Sequence, residues 1–450
     1  MITEMLKQHR EKEKASFHMP GHKNGNGFLG TSFSKAPFQF DTTELPGTDA
    51  LIKPSGAILD AEKYAASLYG AKHSFFLVNG STGGILSMIY SAFQAGDSVI
   101  VDRNCHQSVL NGVILAGLNP IYVTPNDSKL PGISGAVSTA TIQQVLDANI
   151  NIKGAIITSP NYYGATSNIK EIADLLHQNG ALLLVDAAHG AHFPFSSVLP
   201  PSAVSLGADM SVVSLHKTLP APNQTALLNI GNNISIEKTR ASVRMFQTSS
   251  PSYVLLAAME HALRFAEEKG ESETKRLLEL LKPLHCPSLC DPLKLMPSWA
   301  EKGITGYMAE EILRKHFGIY VEMCDSLRLL CMTSWCNVNA DIELLAEAFS
   351  YLEALPVQGE PIFFPQHTRQ SVTIAALSPL EIKTLPQKTV SLKEAEGKIC
   401  AAAVSAFPPC TPILLPGEVI TAEAISQLQS LHKIGATITG MNNHLLTVLA

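Results

Sequence analysis

Short runs of apolar, largely β-branched residues that stop abruptly at polar ones recur along this chain, and they restrict its fold more than any other feature. Residues 181–185 are almost wholly apolar and end in Asp186-Ala187-Ala188-His189-Gly190. Val212-Val213 ends at Ser214, His216 and Lys217. Residues 73–78, 98–101, 120–124, 155–158 and 225–230 read as strands of the same kind. Helical spacing separates most of them. Residues 58–69 close at Gly70, residues 85–95 close at Gly96, and further helices run to Ala116 and from Thr141. Asn168 caps another, with Glu171 as its capping-box partner and Ile169, Ile172, Ala173 and Leu176 as its buried stripe. Continuous apolar strands alternating with helices imply an α/β fold, a mostly parallel sheet covered on both faces. Ligands in such sheets sit at the carboxyl ends of the strands.

Either side of this core the pattern changes. Residues 1–50 read as an arm, with a helix over 3–15 followed by glycine- and proline-rich chain, either a surface wrap or an arm that reaches a site, in a partner subunit included. Residues 51–282 form the large α/β domain, ending in a helix from 236 to 244 and a long one that opens at Thr248-Ser249-Ser250-Pro251-Ser252-Tyr253. Residues 283–450 are α+β, with helices expected over 305–317, 341–355, 392–404 and 422–432, strands over 319–322 and 327–332, and a proline-containing link over 357–370.

The net charge of −6 and the absence of a basic stripe argue against a nucleic-acid partner. No run approaches the ~20 apolar residues that span a bilayer, and the polar N-terminus has no signal-peptide core. The eight cysteines include no CxxC pair and read as reduced thiols. A cytoplasmic protein is expected. His285, Cys286 and Cys290 lack the second ligand pair a zinc site needs, so no metal is expected.

Distinctive residues fall at successive strand ends. Ser81 and Thr82 lie in Asn79-Gly80-Ser81-Thr82-Gly83-Gly84, a glycine-rich turn into a helix, which suits an anion. His106, Asp186 with Ala188, and Lys217 follow other strands. Each has a plain structural explanation when taken singly: a solvated lysine, a helix-capping aspartate, a core histidine. Together they meet the needs of pyridoxal phosphate. Its phosphate needs a helix N-terminus, its aldehyde an amine, its ring nitrogen a carboxylate, and its ring faces a flat group and a small one.

Nine stretches resemble the prokaryotic ornithine/lysine/arginine decarboxylase family of fold-type I pyridoxal-phosphate enzymes. They are residues 17–25 (FHMPGHKNG), 43–49 (TELPGTD), 79–83 (NGSTG), 104–108 (NCHQS), 159–164 (SPNYYG), 186–190 (DAAHG), 214–217 (SLHK), 248–253 (TSSPSY) and 407–421 (FPPCTPILLPGEVIT). The resemblance covers almost the whole chain and implies a short form without the N-terminal wing domain. It implies that Lys217 holds the cofactor aldehyde, Asp186 pairs with the ring nitrogen, His106 stacks on the ring and Ala188 packs behind it. Ser81, Thr82, Ser214 and His216 would bind phosphate, and His189 would line the pocket. Thr248 would reach the phosphate of a neighbouring subunit, which makes the active unit a homodimer. Glu418 would face the basic side chain of the substrate.

The implied activity is α-decarboxylation of a basic amino acid in polyamine biosynthesis, arginine first, then lysine or ornithine. Two other readings of the same residues are an aminotransferase or carbon–sulfur lyase of the same fold, and a non-catalytic cofactor-binding homologue. The chain departs from the family pattern at Phe407-Pro408-Pro409-Cys410 and at Ala402, near where the substrate side chain should be read.

Overall fold

The computed structural model describes residues 11–18, 21–23, 25–31, 42–44, 48–148, 151–363, 370–407, 411–433, 437–442 and 445–450. Its strands are β1 (Ala15–Phe17), β2 (His73–Leu77), β3 (Ser98–Asp102), β4 (Asn119–Val123), β5 (Ile152–Thr158), β6 (Leu182–Asp186), β7 (Met210–Ser214) and β8 (Ala226–Ile230). After these come β9 (Lys294–Leu295), β10 (Ile319–Val321), β11 (Met323–Cys324), β12 (Leu329–Met332), β13 (Val372–Ile374), β14 (Gln387–Ser391), β15 (Val404–Phe407), β16 (Thr411–Leu414), β17 (Thr437–Thr439), β18 (Met441–Asn442) and β19 (Leu445–Leu449).

The large sheet has eight strands in the order β13-β4-β3-β5-β6-β7-β8-β2. Strands β4, β3, β5, β6 and β7 run parallel, and β8 and β13 run against their neighbours. Alternation along each strand splits the core in two, because successive side chains point to opposite faces. Ala155, Ile157, Leu183, Val185 and Val213 enter one cluster. Ile156, Leu184 and Val212 enter the other. Both faces are therefore dry, as the apolar runs require, and each such side chain contributes roughly 1.5–3 kcal/mol by burial. The C-terminal strands enclose a third cluster around Cys400, Val404, Leu414, Leu428, Leu446 and Val448.

The helices that follow the strands carry the site. They are α1 (Ala57–Tyr69), α2 (Gly80–Ala92), α3 (Gln107–Ala116), α4 (Thr139–Asp147), α5 (Ile169–Gln178), the single turn α6 (Leu215–Thr218), α7 (Ile236–Phe246) and α8 (Tyr253–Leu281). Helix α2 starts at Gly80, five residues before the expected Ile85, and ends at Ala92. Gly80 turns the chain at φ 68°, and Gly84 is needed for contact: a Cβ there would lie 2.5 Å from Leu77 Cδ1 and 3.1 Å from Val212 Cγ1. Close packing on β2 and β7 outweighs the poor helix propensity of glycine. The main-chain N–H groups of Ser81 and Thr82 thus belong to the first turn of the helix.

Four other expectations change. Ala15 belongs not to a helix but to β1, which pairs in parallel with β10. Fully buried Phe17 makes that pairing worth more than local helix propensity. The expected helix over 392–404 is one 3-10 turn, Leu392–Glu394, followed by β15. Gly397 at φ 75° breaks it, and Cys400 and Val404 are drawn into the third core. Asn168 does cap α5, accepting from Glu171 N at 3.4 Å, but the Glu171 carboxylate accepts from Thr139 Oγ1 instead of closing a capping box. The sequence also hid β13, which pairs with β4 at the edge of the large sheet.

The arm is tied to this frame at described points. Gly21 N–H donates to His216 O at 2.7 Å. A Cβ on Gly21 would lie 2.7 Å from Leu219 O, so only glycine lets the arm lie against the end of α6. Asp49 accepts from the N–H groups of Ala50, Ser55, Gly56 and Ile58, each at 2.9 Å. Burial raises its pKa, but those N–H groups win and hold the carboxyl at about 2. Among the described residues no helix is long and apolar enough to cross a membrane, and no group of His, Cys, Asp and Glu side chains is arranged to hold a metal ion.

Candidate active site

Strands β6 and β7 are neighbours, with Asp186 opposite Val212. Their ends stay together beyond the ladder, since Ser214 N–H donates to Ala188 O at 3.3 Å. The sheet therefore delivers Asp186, Ala188 and His189 beside Ser214, His216 and Lys217. Nζ of Lys217 is 3.2 Å from Nε2 of His189. Burial lowers the Lys217 pKa, against Asp186 and Glu322, which raise it. Burial also drives His189 well below the usual histidine range, helped by the charge of Lys217. At neutral pH the imidazole is uncharged, and its ring lies 4.7 Å from that of Tyr162.

Asp186 is 2% exposed, and its Oδ1 accepts from Ala188 N at 3.1 Å. Among the described residues no cation pairs with it. A buried carboxylate is costly; the charge of Asp186 acts on Lys217 and His106 without a direct ion pair, so a cationic group bonded to it would suit this position. Asp102, one strand over from β5, accepts from Asn104 N at 2.8 Å and Thr158 N at 3.2 Å. Burial lifts its pKa to about 7, and Asp186 adds to the rise.

His106 caps α3, its Nδ1 accepting from Ser108 N at 3.2 Å and meeting Ser108 Oγ at 2.8 Å. The residue as a whole is exposed, and it feels the charges of both Asp186 and Lys217. Ser81 and Thr82, at the start of α2, stand at the surface. Gly80 N–H donates to Gln224 O at 2.8 Å, which ties that helix start to the β7–β8 loop. His216 meets Thr225 O through Nδ1 at 3.2 Å. Ser214 is fully buried, yet its Oγ has no partner among the described residues.

Thr248 and Glu418 remain of the expected residues. Thr248 is exposed, and its hydroxyl meets Ser250 within its own turn, apart from the Lys217 cluster. Glu418, expected to face a substrate side chain, has its carboxylate engaged within the chain. It is 3% exposed and paired with both terminal nitrogens of buried Arg103, with Leu415 N–H donating to its Oε2 at 2.8 Å. Arg103 follows β3 directly, so the ion pair fixes the C-terminal segment to the strand end that carries His106. The stretch 408–410, including Cys410, lies outside the described residues.

Other groups around Lys217 were not foreseen. Lys294 is 1% exposed and donates to Tyr162 O at 2.8 Å and Asn161 O at 3.4 Å. Burial brings its pKa down to about 8. Lys23, also buried, donates to His18 O at 2.7 Å and Met332 O at 3.0 Å, and burial brings it to about 8 as well. Tyr162 donates its hydroxyl to Glu322. The available signals were Lys23 and Tyr162, in the quoted stretches 17–25 and 159–164, because Lys294 and Glu322 stand in no motif.

The donor set fits pyridoxal phosphate. An unpaired buried carboxylate awaits a pyridinium, an amine of lowered pKa awaits an aldehyde, and a helix start with Ser81, Thr82 and the orphaned Ser214 hydroxyl awaits a phosphate.

Comparison with known proteins agrees with this fit. Residues 2–285 match the model of the Orn/Lys/Arg decarboxylase major domain, and residues 373–448 that of the Orn/Lys/Arg decarboxylase C-terminal domain. The chain is 30% identical to an arginine decarboxylase of Halalkalibacterium halodurans over 96% of this chain and 93% of that one. Its fold is similar to lysine decarboxylase A from Pseudomonas aeruginosa, with a TM-score of 0.74 and 19% identity over 99% of this chain and 80% of that one. It is also similar to a structure of SPT with PLP, with a TM-score of 0.56 and 17% identity over 73% of this chain and 84% of that one.

Proposed function

The chain belongs to the Orn/Lys/Arg decarboxylase family, pyridoxal-phosphate-dependent carboxy-lyases of basic amino acids, and on that premise we propose that it decarboxylates arginine to agmatine. Arginine is favoured over lysine and ornithine because full-length relatives named arginine decarboxylase match it at about 30% identity. The observation that carries the catalytic reading is the Lys217–His189 contact of 3.2 Å beside the buried carboxylate of Asp186.

The cofactor, when bound, supplies an electron sink for the bond to the α-carboxylate. The chain's own groups do the rest. Asp186 holds the ring nitrogen's proton. Ser81, Thr82, Ser214 and His216 bind the phosphate, and the start of α2 adds main-chain N–H groups. His106 and Ala188 would hold the ring. Lys217 would hold the aldehyde through its Nζ. Its Nζ, beside the uncharged His189, would donate the proton that replaces the lost carboxylate. Burial of Asp186, His189 and Ser214 keeps bulk water from these groups. A homodimer, with Thr248 reaching the partner's phosphate, suits the exposed position of that hydroxyl.

The test is substrate profiling. Purified protein with pyridoxal phosphate is given arginine, lysine, ornithine and a neutral amino acid, and carbon dioxide and amine are measured. Arginine should give both products fastest. A keto acid in place of carbon dioxide, or no turnover of any basic amino acid, would overturn the assignment.

A further inference from the structure

An ammonium group taken out of water is costly, and Lys294, at the start of β9, is 1% exposed. The turn that follows β5 is built around it. Lys294 Nζ donates to Tyr162 O at 2.8 Å and to Asn161 O at 3.4 Å. The other end of the turn is held by Asp291, whose N–H donates to Gly164 O at 3.1 Å. Gly164 stands at φ 88°, and a Cβ there would lie 2.7 Å from Asp291 Cβ and 3.4 Å from Lys294 Cδ. Only glycine lets the turn and the lysine lie this close. Asp291 is the carboxylate that most favours the charge of Lys294, and its Oδ1 also meets His192 at 3.3 Å and Leu293 N–H at 3.1 Å.

The turn carries Tyr162, whose ring packs on His189 at 4.7 Å, and His189 meets Lys217 Nζ at 3.2 Å. One continuous path therefore joins the two lysines: ammonium to carbonyl, backbone to tyrosine ring, ring to imidazole, imidazole to amine. Two carbonyls alone do not require a charge, since an amide or hydroxyl donor would satisfy them. The ammonium adds a field that reaches His189. Burial acts most strongly on that imidazole, and the charges of Lys217, Lys294, His216 and His106 add to it, all keeping the ring neutral.

We propose that Lys294 is a positioning residue for the reaction at Lys217: its ammonium fixes the Asn161–Tyr162 turn, and the turn sets the Tyr162 ring as the seat that holds His189 against Nζ. This rests on the reading of Lys217 as the reacting amine. Lys294 acts through Tyr162 and His189, not on the reacting atoms. A reacting pair is held in productive geometry only when the groups behind it are themselves fixed.

The experiment compares holoenzyme carrying Lys294→Met, Lys294→Gln, Tyr162→Leu and the double variant Lys294→Met/Tyr162→Leu with wild type, for kcat, KM and melting temperature on the preferred basic amino acid. The same proteins without cofactor are labelled at histidine for NMR, and the His189 ring signal, assigned by its loss in His189→Leu, is followed across neutral pH. Lys294→Met should lower kcat by roughly ten- to a hundredfold with KM within about twofold of wild type. Its His189 signal should move, and should titrate closer to neutral pH because one of the cations facing the ring is gone. Tyr162→Leu should lose kcat to a similar degree, and the double variant no more than the worse single one, because both break one path. Lys294→Gln keeps an N–H donor for the carbonyls and should regain part of the loss; with Tyr162→Leu it carries the comparison where Lys294→Met does not fold. An unchanged kcat, losses that multiply in the double variant, or a Lys294→Gln protein no better than Lys294→Met would overturn the proposal. So would a lowered melting temperature with the His189 signal unmoved, which would make Lys294 a structural tie alone. A wild type that turns over no basic amino acid, while Lys294→Met still moves the His189 signal, would overturn the activity and leave the positioning standing.

Discussion

Nζ of Lys217 and Nε2 of His189 stand 3.2 Å apart at the ends of adjacent strands β7 and β6. Burial lowers both groups, and the charge of Lys217 lowers His189 further. The uncharged imidazole is therefore a proton acceptor for the lysine and a fixed surface against Tyr162. His189→Leu removes the acceptor and keeps the site apolar. Turnover should fall about 10²-fold or more, while cofactor absorbance persists. Steady-state rates with an absorbance scan of the same sample check this, and an unchanged kcat would remove His189 from proton handling.

Arg103 and Glu418 are 315 residues apart in sequence and form a buried pair next to the loop that carries His106. Breaking such a pair leaves one charge unpaired, which costs about 3–5 kcal/mol. Glu418→Gln and Arg103→Met should each destabilise the protein by that order in denaturant unfolding. The double variant should lose less than the sum, because no lone charge remains. Strictly additive losses would show that the pair is not coupled.

Asp102 gives a pH signature. Its folded pKa, raised to about 7 by burial, lies above the unfolded value of roughly 3.9. The folded state therefore binds this proton more tightly. The stability it contributes is fully present below about pH 4 and is lost as pH rises through about 7. Asp102→Asn, which cannot ionise, should match wild type at pH 4 and exceed it in melting temperature at pH 8. A gap that stays constant across that range would contradict the burial of the carboxylate.

Much of this was legible in the sequence because the parallel sheet writes itself as apolar runs with polar ends. Asp186, His189 and Lys217 each follow such a run, so their convergence needed only the rule that adjacent strands end together. The resemblance of the stretches around them supplied the roles. What stayed hidden depends on distant partners. The pairing of Glu418 with Arg103 was not legible, because the two are 315 residues apart. Glu322 and Lys294 carry no local pattern, and only the fold sets them around Tyr162. Short strands such as β1 and β13 were lost because their stability comes from pairing with β10 and β4, not from their own residues. Helix α2 began early for a related reason: the contact of Gly84 with Leu77 and Val212 is tertiary.

The most direct measurement concerns Lys217. Wild type and Lys217→Ala are each mixed with pyridoxal phosphate, scanned in the visible range and then given a basic amino acid, with carbon dioxide collected. Wild type should develop the absorbance of a lysine-bound cofactor and release carbon dioxide with the matching amine. Lys217→Ala, folded by circular dichroism, should show neither the band nor turnover above background. A Lys217→Ala protein that keeps the absorbance band, or that decarboxylates at the wild-type rate, would contradict the assignment of this lysine as the residue that holds the cofactor.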